Sequence, residues 1–218
     1  MIHFNRVSKR YANGHSALLN INFQLGKGEM AFLTGHSGAG KSTLLKLIAM
    51  MEKPSVGEVI LNGVNLQNMP ARMIPYLRRN IGLIFQNPNL LPERTLLENV
   101  ALPLIISGYR DREIEKRAQA ALGKVGLLKY ANQLPETLSA GEEQRVGIAR
   151  AIVTKPALIL ADEPTGNLDP DLSKDIMHMF EQFNQLGTTV LIATHDLAVI
   201  ESMGCRRLEL KQGQLVNE

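Results

Sequence analysis

The chain has very little cysteine and no long apolar run, and each scarcity excludes a class of protein. Cys205 is the only cysteine among 218 residues, which excludes a disulfide framework and a cysteine-ligated metal cluster and fits a reducing compartment. The longest apolar stretch, Val100 to Ile106, is far shorter than the ~20 residues that a membrane-spanning helix requires. Polar side chains interrupt residues 1–6 too early for a signal peptide. We therefore expect a cytosolic chain that reaches a membrane only through a partner.

The charge balance is nearly even and gives little support to a nucleic-acid partner. Lys and Arg number 24 against 21 Asp and Glu, and the formal net charge of +3 is spread along the chain, so no nucleic-acid partner is expected. Hydrophobic residues at 44% and charged residues at 21% are typical of a globular protein. At about 150 residues per domain, the length indicates one large domain or a domain with an inserted lobe.

Hydrophobic periodicity predicts strands and helices in alternation. Period-2 or short apolar runs predict strands at 19–25, 29–34, 59–61, 81–85, 157–161 and 188–193. Helices are predicted after residue 40, over 172–186 and over 197–203, and a hairpin over 207–216. Residues 96–137 are predicted to be wholly helical, with one apolar stripe formed by Ile114, Ala118, Ala121, Leu122 and Val125. We therefore predict an α/β core over 1–87 and 154–218 with an inserted helical lobe over 88–153.

A glycine-rich loop between a predicted strand and a predicted helix fits the phosphate-binding pattern G-x-x-x-x-G-K-[ST]. Glycines let backbone N–H groups approach phosphate oxygens, and the following helix directs its positive end at the same anion. Lys41 is expected on the β- and γ-phosphates of a nucleotide and the Ser42 hydroxyl on Mg²⁺. The predicted nucleotide-binding residues of this loop are Gly35, His36, Ser37, Gly38, Ala39, Gly40, Lys41, Ser42 and Thr43.

Two adjacent carboxylates follow a second apolar strand and complete this candidate site. Residues 158–161 are apolar, and Asp162 and Glu163 come directly after them, where ligands bind in open α/β sheets. Successive strand side chains point to opposite faces, so the two carboxylates cannot share one task. Asp162 suits Mg²⁺ and Glu163 suits a general base for an attacking water. Without the phosphate loop, the same pair would be an ordinary strand end.

Residues 138–142, Leu-Ser-Ala-Gly-Glu, open another predicted helix and resemble the signature motif of the ATP-binding-cassette (ABC) ATPases. The pattern Ser139-x-x-Glu142 is also a plain capping box, and both interpretations can hold together because a capped helix N-terminus is an anion site. In this family the segment binds the γ-phosphate of ATP held by the opposite subunit, which assigns nucleotide contacts to Ser139, Gly141 and Glu142. One departure is Ala140, which replaces the first of the two signature glycines; we expect it to be tolerated.

Further markers of the same family occur in the expected order. Gln86 resembles the glutamine that follows a core strand and contacts metal and γ-phosphate, and His195 resembles the histidine that orients the γ-phosphate and water. Tyr11 resembles the aromatic that stacks on adenine, and residues 167–169 resemble the loop that follows the paired carboxylates. The resemblance covers essentially the whole chain. It implies a mixed sheet with flanking helices, N-terminal antiparallel strands, catalytic roles for Glu163, His195 and Gln86, and Mg²⁺ held by Ser42, Gln86 and Asp162.

The resemblance also implies an assembly. Family members close head-to-tail as a homodimer over two ATP molecules and act on an integral membrane subunit at the cytoplasmic face of the bacterial inner membrane. Within the family the chain is most similar to the ATPase of a cell-division complex; the alternative is the ATPase of a lipoprotein-release or macrolide-type exporter. The segment after Gln86, with Pro88, Leu90, Leu91 and Pro92, offers apolar surface for that membrane subunit, or it packs the lobe onto the core.

Two other classes share part of these motifs. A DNA-maintenance ATPase would need long heptad arms, which the sequence lacks. A stand-alone phosphotransferase would not need the segment 138–142.

Overall fold

The computed structural model describes residues 1–166, 168–196, 200–201 and 203–217, and these form two sheets with helices around them. The strands are β1 Ile2–Arg10, β2 Ser16–Leu25, β3 Met30–Thr34, β4 Val56–Leu61, β5 Val64–Asn65, β6 Ile81–Ile84, β7 Leu158–Asp162, β8 Thr189–Ala193, β9 Arg206–Lys211 and β10 Gln214–Asn217. The helices are α1 Lys41–Ile48, α2 Ile74–Arg79, α3 Leu96–Ile106, α4 Asp111–Lys124, α5 Ala140–Ile152 and α6 Pro170–Gln185.

The larger sheet has the order β10-β9-β3-β8-β7-β6, in which all neighbours are parallel except the β10–β9 pair. Every residue of β3 and of β8 is buried, as expected for central parallel strands that are covered on both faces. The smaller sheet is antiparallel, with the order β2-β1-β4-β5. The predicted α/β class, with a mixed sheet and N-terminal antiparallel strands, is confirmed.

Two apolar cores lie on the two faces of the large sheet. On one face, side chains of the small sheet and of α1 pack against Leu33, Leu160 and Leu191. On the other face, α3, α4, α5 and α6 pack against Phe32, Ile159 and Ile192. Both cores are built from strands whose alternate side chains point to opposite faces. The large sheet therefore lies between two packed layers, and the phosphate loop follows β3 at one edge of this sheet.

The helices α3, α4 and α5 all lie between β6 and β7 in the chain. The prediction that residues 96–137 are wholly helical is wrong at two places: residues 107–110 separate α3 from α4, and after α4 only single 3₁₀ turns form, at Leu128–Tyr130 and Pro135–Thr137. Gly126 takes a φ of +75° just after α4, a conformation that ends a helix. The predicted apolar stripe is confirmed, since four of its five residues are buried and Ile114 is half-buried.

The C-terminal part of the chain forms the predicted hairpin, β9 and β10. The predicted helix over 197–203 includes residues 197–199 and 202, which lie outside the described residues. Among the described residues, no helix combines the length and the apolar character that crossing a bilayer requires.

Candidate active site

The glycine-rich loop joins the C-terminal end of β3 to the first turn of α1. Gly35, Gly38 and Gly40 have φ values of +146°, +77° and +109°, which residues with a Cβ rarely adopt. A Cβ on Gly40 would also lie 2.6 Å from the carbonyl oxygen of Ala17, so only glycine fits there. His36, Ser37 and Gly38 are exposed at the tip of the loop. The loop therefore presents backbone at the start of a helix, as anion binding requires.

Lys41 points back into this loop and is only 7% exposed. Its ammonium nitrogen Nζ donates to the carbonyl oxygen of Gly35 at 2.7 Å and lies 3.4 Å from that of His36. It also forms an ion pair of 3.3 Å with Oε1 of Glu163. A buried ammonium group needs hydrogen-bond acceptors and an opposite charge because its desolvation is costly. Phosphate oxygens, as charged acceptors, could take the place of these carbonyl and carboxylate oxygens.

Glu163 lies just beyond β7, at the same edge of the sheet as the phosphate loop, because β3, β8 and β7 are parallel. Its φ is +48°, a left-handed conformation that is uncommon outside glycine, and its N–H donates to the carbonyl oxygen of Ala193 at 2.8 Å. The carboxylate is mostly buried, and its Oε1 lies 2.9 Å from Nδ1 of the exposed His195. One carboxylate oxygen thus contacts two other predicted site residues, Lys41 and His195.

Asp162 ends β7, and its Oδ1 is buried with no hydrogen-bond partner among the described residues. Such an orphaned buried oxygen fits a site for a cation. Ser42 is exposed at the start of α1. Among the described residues no cluster of three or more His, Cys, Asp or Glu is present, and Mg²⁺ needs none, since it commonly takes one or two protein carboxylates together with phosphate oxygens and water. The donor set therefore fits Mg²⁺ bound with a nucleotide.

Gln86 lies two residues beyond β6, next to the turn that follows Glu163. A Cβ built on Gly166 would be 3.3 Å from Nε2 of Gln86. The pairing of β6 with β7, with Ile84 opposite Ala161, explains this approach, since both strands end at the same edge. The sequence therefore placed Gln86 at the correct edge, although its side chain is exposed.

Helix α5 contacts the segment around Gln86 at three points that the sequence did not indicate. Nε2 of Gln144 donates to the carbonyl oxygen of Phe85 at 3.2 Å. The guanidinium group of Arg150 donates to the carbonyl oxygens of Pro88 and Asn89. Gly147 faces the Pro88 ring, where an added Cβ would lie only 2.8 Å from Pro88 Cβ. These contacts fix the Gln86 segment to the helix that begins at the signature motif.

Tyr11 lies beside the start of α1. Its hydroxyl oxygen is 3.2 Å from Oγ1 of Thr43, and Nζ of Lys9 lies 5.0 Å from the centre of its ring. The ring is half-buried, so part of its surface is available to another ring. The structure thus brings Tyr11 and Thr43 together next to the phosphate loop.

Ser139 and Glu142 form the predicted capping box of α5. Oγ of Ser139 accepts from the Glu142 N–H at 3.4 Å, and a Glu142 carboxylate oxygen accepts from the Ser139 N–H at 2.9 Å. The backbone and hydroxyl hydrogen bonds from Ser139 hold the pKa of the Glu142 carboxyl below its usual range. Among the described residues neither side chain is hydrogen-bonded to the phosphate loop, and Ser139 is exposed.

Gly141 is buried, and an added Cβ would lie 2.8 Å from the Leu172 side chain on α6. Close packing against α6 of the same chain therefore explains why position 141 is a glycine. Next to it, Ala140 is exposed. Of the loop predicted at 167–169, Asn167 lies outside the described residues, and Asp169 caps α6 by accepting from the N–H groups of Asp171 and Leu172.

The C-terminal hairpin supports the phosphate loop, a role that the sequence did not reveal. The N–H of Gly213 donates to the carbonyl oxygen of Ala39 at 3.2 Å, and its carbonyl accepts from Leu19 at 2.7 Å. The carbonyl of Leu210 closes over Gly35 so tightly that no Cβ could be added there. About 170 residues separate these partners in the chain, so periodicity and spacing carry no signal for the contact.

The segment 88–92 is partly buried and partly exposed, and its contact with a membrane subunit stays a prediction. Pro88 and Leu90 are half-buried, whereas Leu91 is 40% exposed. The buried Asn99 on α3 holds the segment, because its Oδ1 accepts from the Leu91 N–H at 2.8 Å and its Nδ2 donates to the Leu91 carbonyl at 3.0 Å. Leu91 therefore presents an apolar side chain on a fixed backbone.

The sequence profile of the ABC transporter family matches residues 18–166. With the phosphate loop, the paired carboxylates and the inserted helices, this match shows that the chain belongs to the ABC transporter family, as an ATP-binding subunit.

Individual relatives are similar over nearly their whole length. The cell division ATP-binding protein FtsE of Escherichia coli K12 is 55% identical over 215 residues, which cover 99% of this chain and 97% of the relative. FtsE of Bacillus subtilis is 43% identical over 218 residues, with 100% and 96% covered. Among solved structures, the dimeric post-hydrolysis state of the ATP-binding cassette MJ0796 bound to ADP and Pi has a TM-score of 0.91 and 38% identity, with 99% and 96% covered.

Proposed function

We propose that the chain is an Mg²⁺-dependent ATPase that works as a homodimer and drives an FtsX-like integral membrane subunit in bacterial cell division. The observation that carries the catalytic part is the Glu163 carboxylate, whose Oε1 lies 3.3 Å from Lys41 Nζ and 2.9 Å from His195 Nδ1. The near full-length similarity to FtsE supports the cellular role.

The hydrolysis step follows from these positions. ATP phosphates on the glycine-rich loop compete with Glu163 for the Lys41 ammonium group, which frees a carboxylate oxygen for water. Glu163 takes a proton from that water, the water oxygen attacks the γ-phosphorus, and the bond to the bridging oxygen of ADP breaks. His195, held against the same carboxylate, orients the γ-phosphate and the water.

Ser42 and Asp162 would hold Mg²⁺, with Gln86 as a further ligand. When bound, the ion neutralises charge on the β- and γ-phosphates. The buried Oδ1 of Asp162, which has no partner among the described residues, supports this assignment.

In this proposal a second copy of the chain supplies the signature contacts to ATP that one chain alone lacks. Ser139 and Gly141 open α5 with N–H groups that suit an anion, yet Ser139 is exposed and has no hydrogen bond to the phosphate loop of its own chain among the described residues. A head-to-tail dimer lets this end face ATP on the partner. The dimeric MJ0796 cassette bound to ADP and Pi supports such an arrangement here.

Substituting Glu163 tests the catalytic proposal. Glu163→Gln keeps the shape of the side chain but removes the base, so ATP turnover should fall by about 10²–10⁴-fold while ATP affinity stays near that of the parent. Turnover is measured by phosphate release with Mg²⁺ and again with excess chelator, which should abolish it. Glu136→Gln, an exposed site, is the control. Parental turnover in Glu163→Gln would show that Glu163 is not the base.

The membrane partner gives the chain a peripheral position at the cytoplasmic face of the inner membrane. We place its contact on the segment 88–92, because Arg150 of α5 donates hydrogen bonds to this segment and because the segment begins two residues after Gln86. In this proposal, a shift of Gln86 at the γ-phosphate also displaces the exposed apolar side chain of Leu91. In this proposal the ATP cycle controls cell-wall hydrolases through the membrane subunit.

The contact is tested with Leu91→Asp, which places a charge on the exposed apolar position and should release the chain from membranes. Cells that express the variant together with the membrane subunit are fractionated, and ATP binding is measured separately. Leu128→Asp changes a leucine elsewhere that is 49% exposed, against 40% for Leu91, and this variant should remain membrane-bound. A Leu91→Asp chain that stays in the membrane fraction would place the docking surface elsewhere.

A further inference from the structure

A second cavity lies at the edge of the large sheet opposite to the phosphate loop. Its volume is about 720 Å³, within the range of sites that bury drug-sized ligands. Pro156 and Ala157, just before β7, and Thr188, just before β8, form part of its wall. The phosphate loop lies at the other ends of these parallel strands, so the two sites are separate.

The floor of this cavity is apolar. Ile152 at the end of α5, Ile159 on β7 and Phe183 on α6 line it, and all three belong to the buried core beneath it. At the rim stands Leu186, which is 76% exposed, more than any other large apolar side chain among the described residues. An exposed apolar side chain beside an apolar hollow marks a surface that suits an apolar ligand.

The rim is strongly basic. Lys116, Arg117, Lys124 and Lys155 line the cavity, and Glu113 is its one acidic residue. Arg117 is already paired with Glu113 at 2.7 Å. Among the described residues, no ion pair includes the three lysines, although the Lys124 ammonium lies 5.8 Å from the centre of the Phe183 ring. Three ammonium groups that have no carboxylate partner in the described part of the chain therefore line a cavity with an apolar floor.

We propose that this cavity binds a small amphiphilic anion, with an aliphatic body on the Ile152–Phe183 floor and a carboxylate head among the lysines. A neutral apolar ligand would leave the ammonium groups unused, and a small inorganic anion would leave the floor in water. Lysine stems can pack on the aliphatic body while their charged ends reach the head group. Because α4 comes from the inserted helices and α6 from the core, such a ligand bridges both parts of the chain.

Calorimetry with decanoate as the probe tests the charge requirement. Saturating ADP and Mg²⁺ are present, so that the phosphate loop is not available as an anion site. Decanoate should bind saturably, and decanol and acetate should each bind at least about tenfold more weakly.

The double variant Lys116→Gln/Lys155→Gln should lose at least about tenfold in decanoate affinity, whereas Lys46→Gln/Lys174→Gln removes two charges elsewhere and should lose none. Equal binding of decanol or acetate, or equal affinities of the two double variants, would overturn the proposal.

A cavity-filling pair of variants tests the position of the ligand. Ala120 lines the cavity from α4, whereas Gln119, one residue earlier, does not. Ala120→Trp should abolish decanoate binding, and Gln119→Trp should leave it unchanged, with similar melting temperatures for both. Undiminished binding in a folded Ala120→Trp chain would place decanoate elsewhere and contradict the assignment.

Discussion

Lys41 is buried although its side chain is charged, and its contacts give the reason. Two loop carbonyls accept from the ammonium group, and Glu163 supplies the opposite charge. The same ammonium thus fixes the loop internally and contacts the carboxylate that we propose as the base. At the scale of single residues, we therefore propose that the Lys41 side chain links ATP binding to hydrolysis.

Removing this ammonium group should weaken ATP binding. Lys41→Ala loses charge-assisted hydrogen bonds of about 1.5–3 kcal/mol each, which corresponds to an affinity loss of at least about tenfold. Isothermal titration with ATP and Mg²⁺ gives the measurement. Lys46→Ala, on the exposed face of the same helix, should bind like the parent. Unchanged affinity in Lys41→Ala would show that Lys41 does not contact the phosphates.

Helix α5 is the element that connects the two proposed halves of the mechanism. It begins with the capping box of Ser139 and Glu142, and its later turns contact the Gln86 segment through Gln144, Gly147 and Arg150. An anion bound at its N-terminus and a partner docked after Gln86 would thus act on one rigid body. At Gly147 the approach of Pro88 leaves no room for a side chain.

Two glycine substitutions within helices test this packing against an internal control. Alanine normally stabilises a helix interior relative to glycine by about 0.5–1 kcal/mol. Gly123→Ala on α4 meets open space and should gain that amount. Gly147→Ala would place its Cβ 2.8 Å from Pro88, so we expect a loss of roughly 1–3 kcal/mol from overpacking. Urea unfolding midpoints measure both, and a stabilised Gly147→Ala chain would show that the Pro88 contact is loose.

The sequence predicted the local parts of this molecule better than the contacts between distant parts. The strand and the helix that flank the phosphate loop, the paired carboxylates and the stripe on α4 all follow from spacing and periodicity within short windows. The helix expected over 96–137 is interrupted at Gly108 and Gly126, which take positive φ values just after α3 and α4, and both glycines were visible in the sequence. The Gly213–Ala39 and Arg150–Pro88 contacts join segments far apart in the chain, and no local pattern encodes them.

At the scale of the whole molecule, the proposed active site is divided between two copies. The phosphate loop, Glu163 and His195 lie together in one chain, whereas Ser139 lies at an exposed helix end without a hydrogen bond to them among the described residues. The central claim is that the signature helix of one copy completes the phosphate loop of the other. A disulfide between the two copies tests it directly, because Cys205 is the only native cysteine.

One chain carries Ser37→Cys at the loop tip and the other carries Ser139→Cys, both with Cys205→Ser and with Glu163→Gln to preserve bound ATP. With ATP and a mild oxidant, their mixture should give a covalent dimer on a non-reducing gel, whereas each chain alone and the mixture without ATP should not. As a control, Gln185→Cys at the opposite end of the sheet replaces Ser37→Cys and should give no dimer. A mixture that stays monomeric while ATP is bound would contradict the shared site.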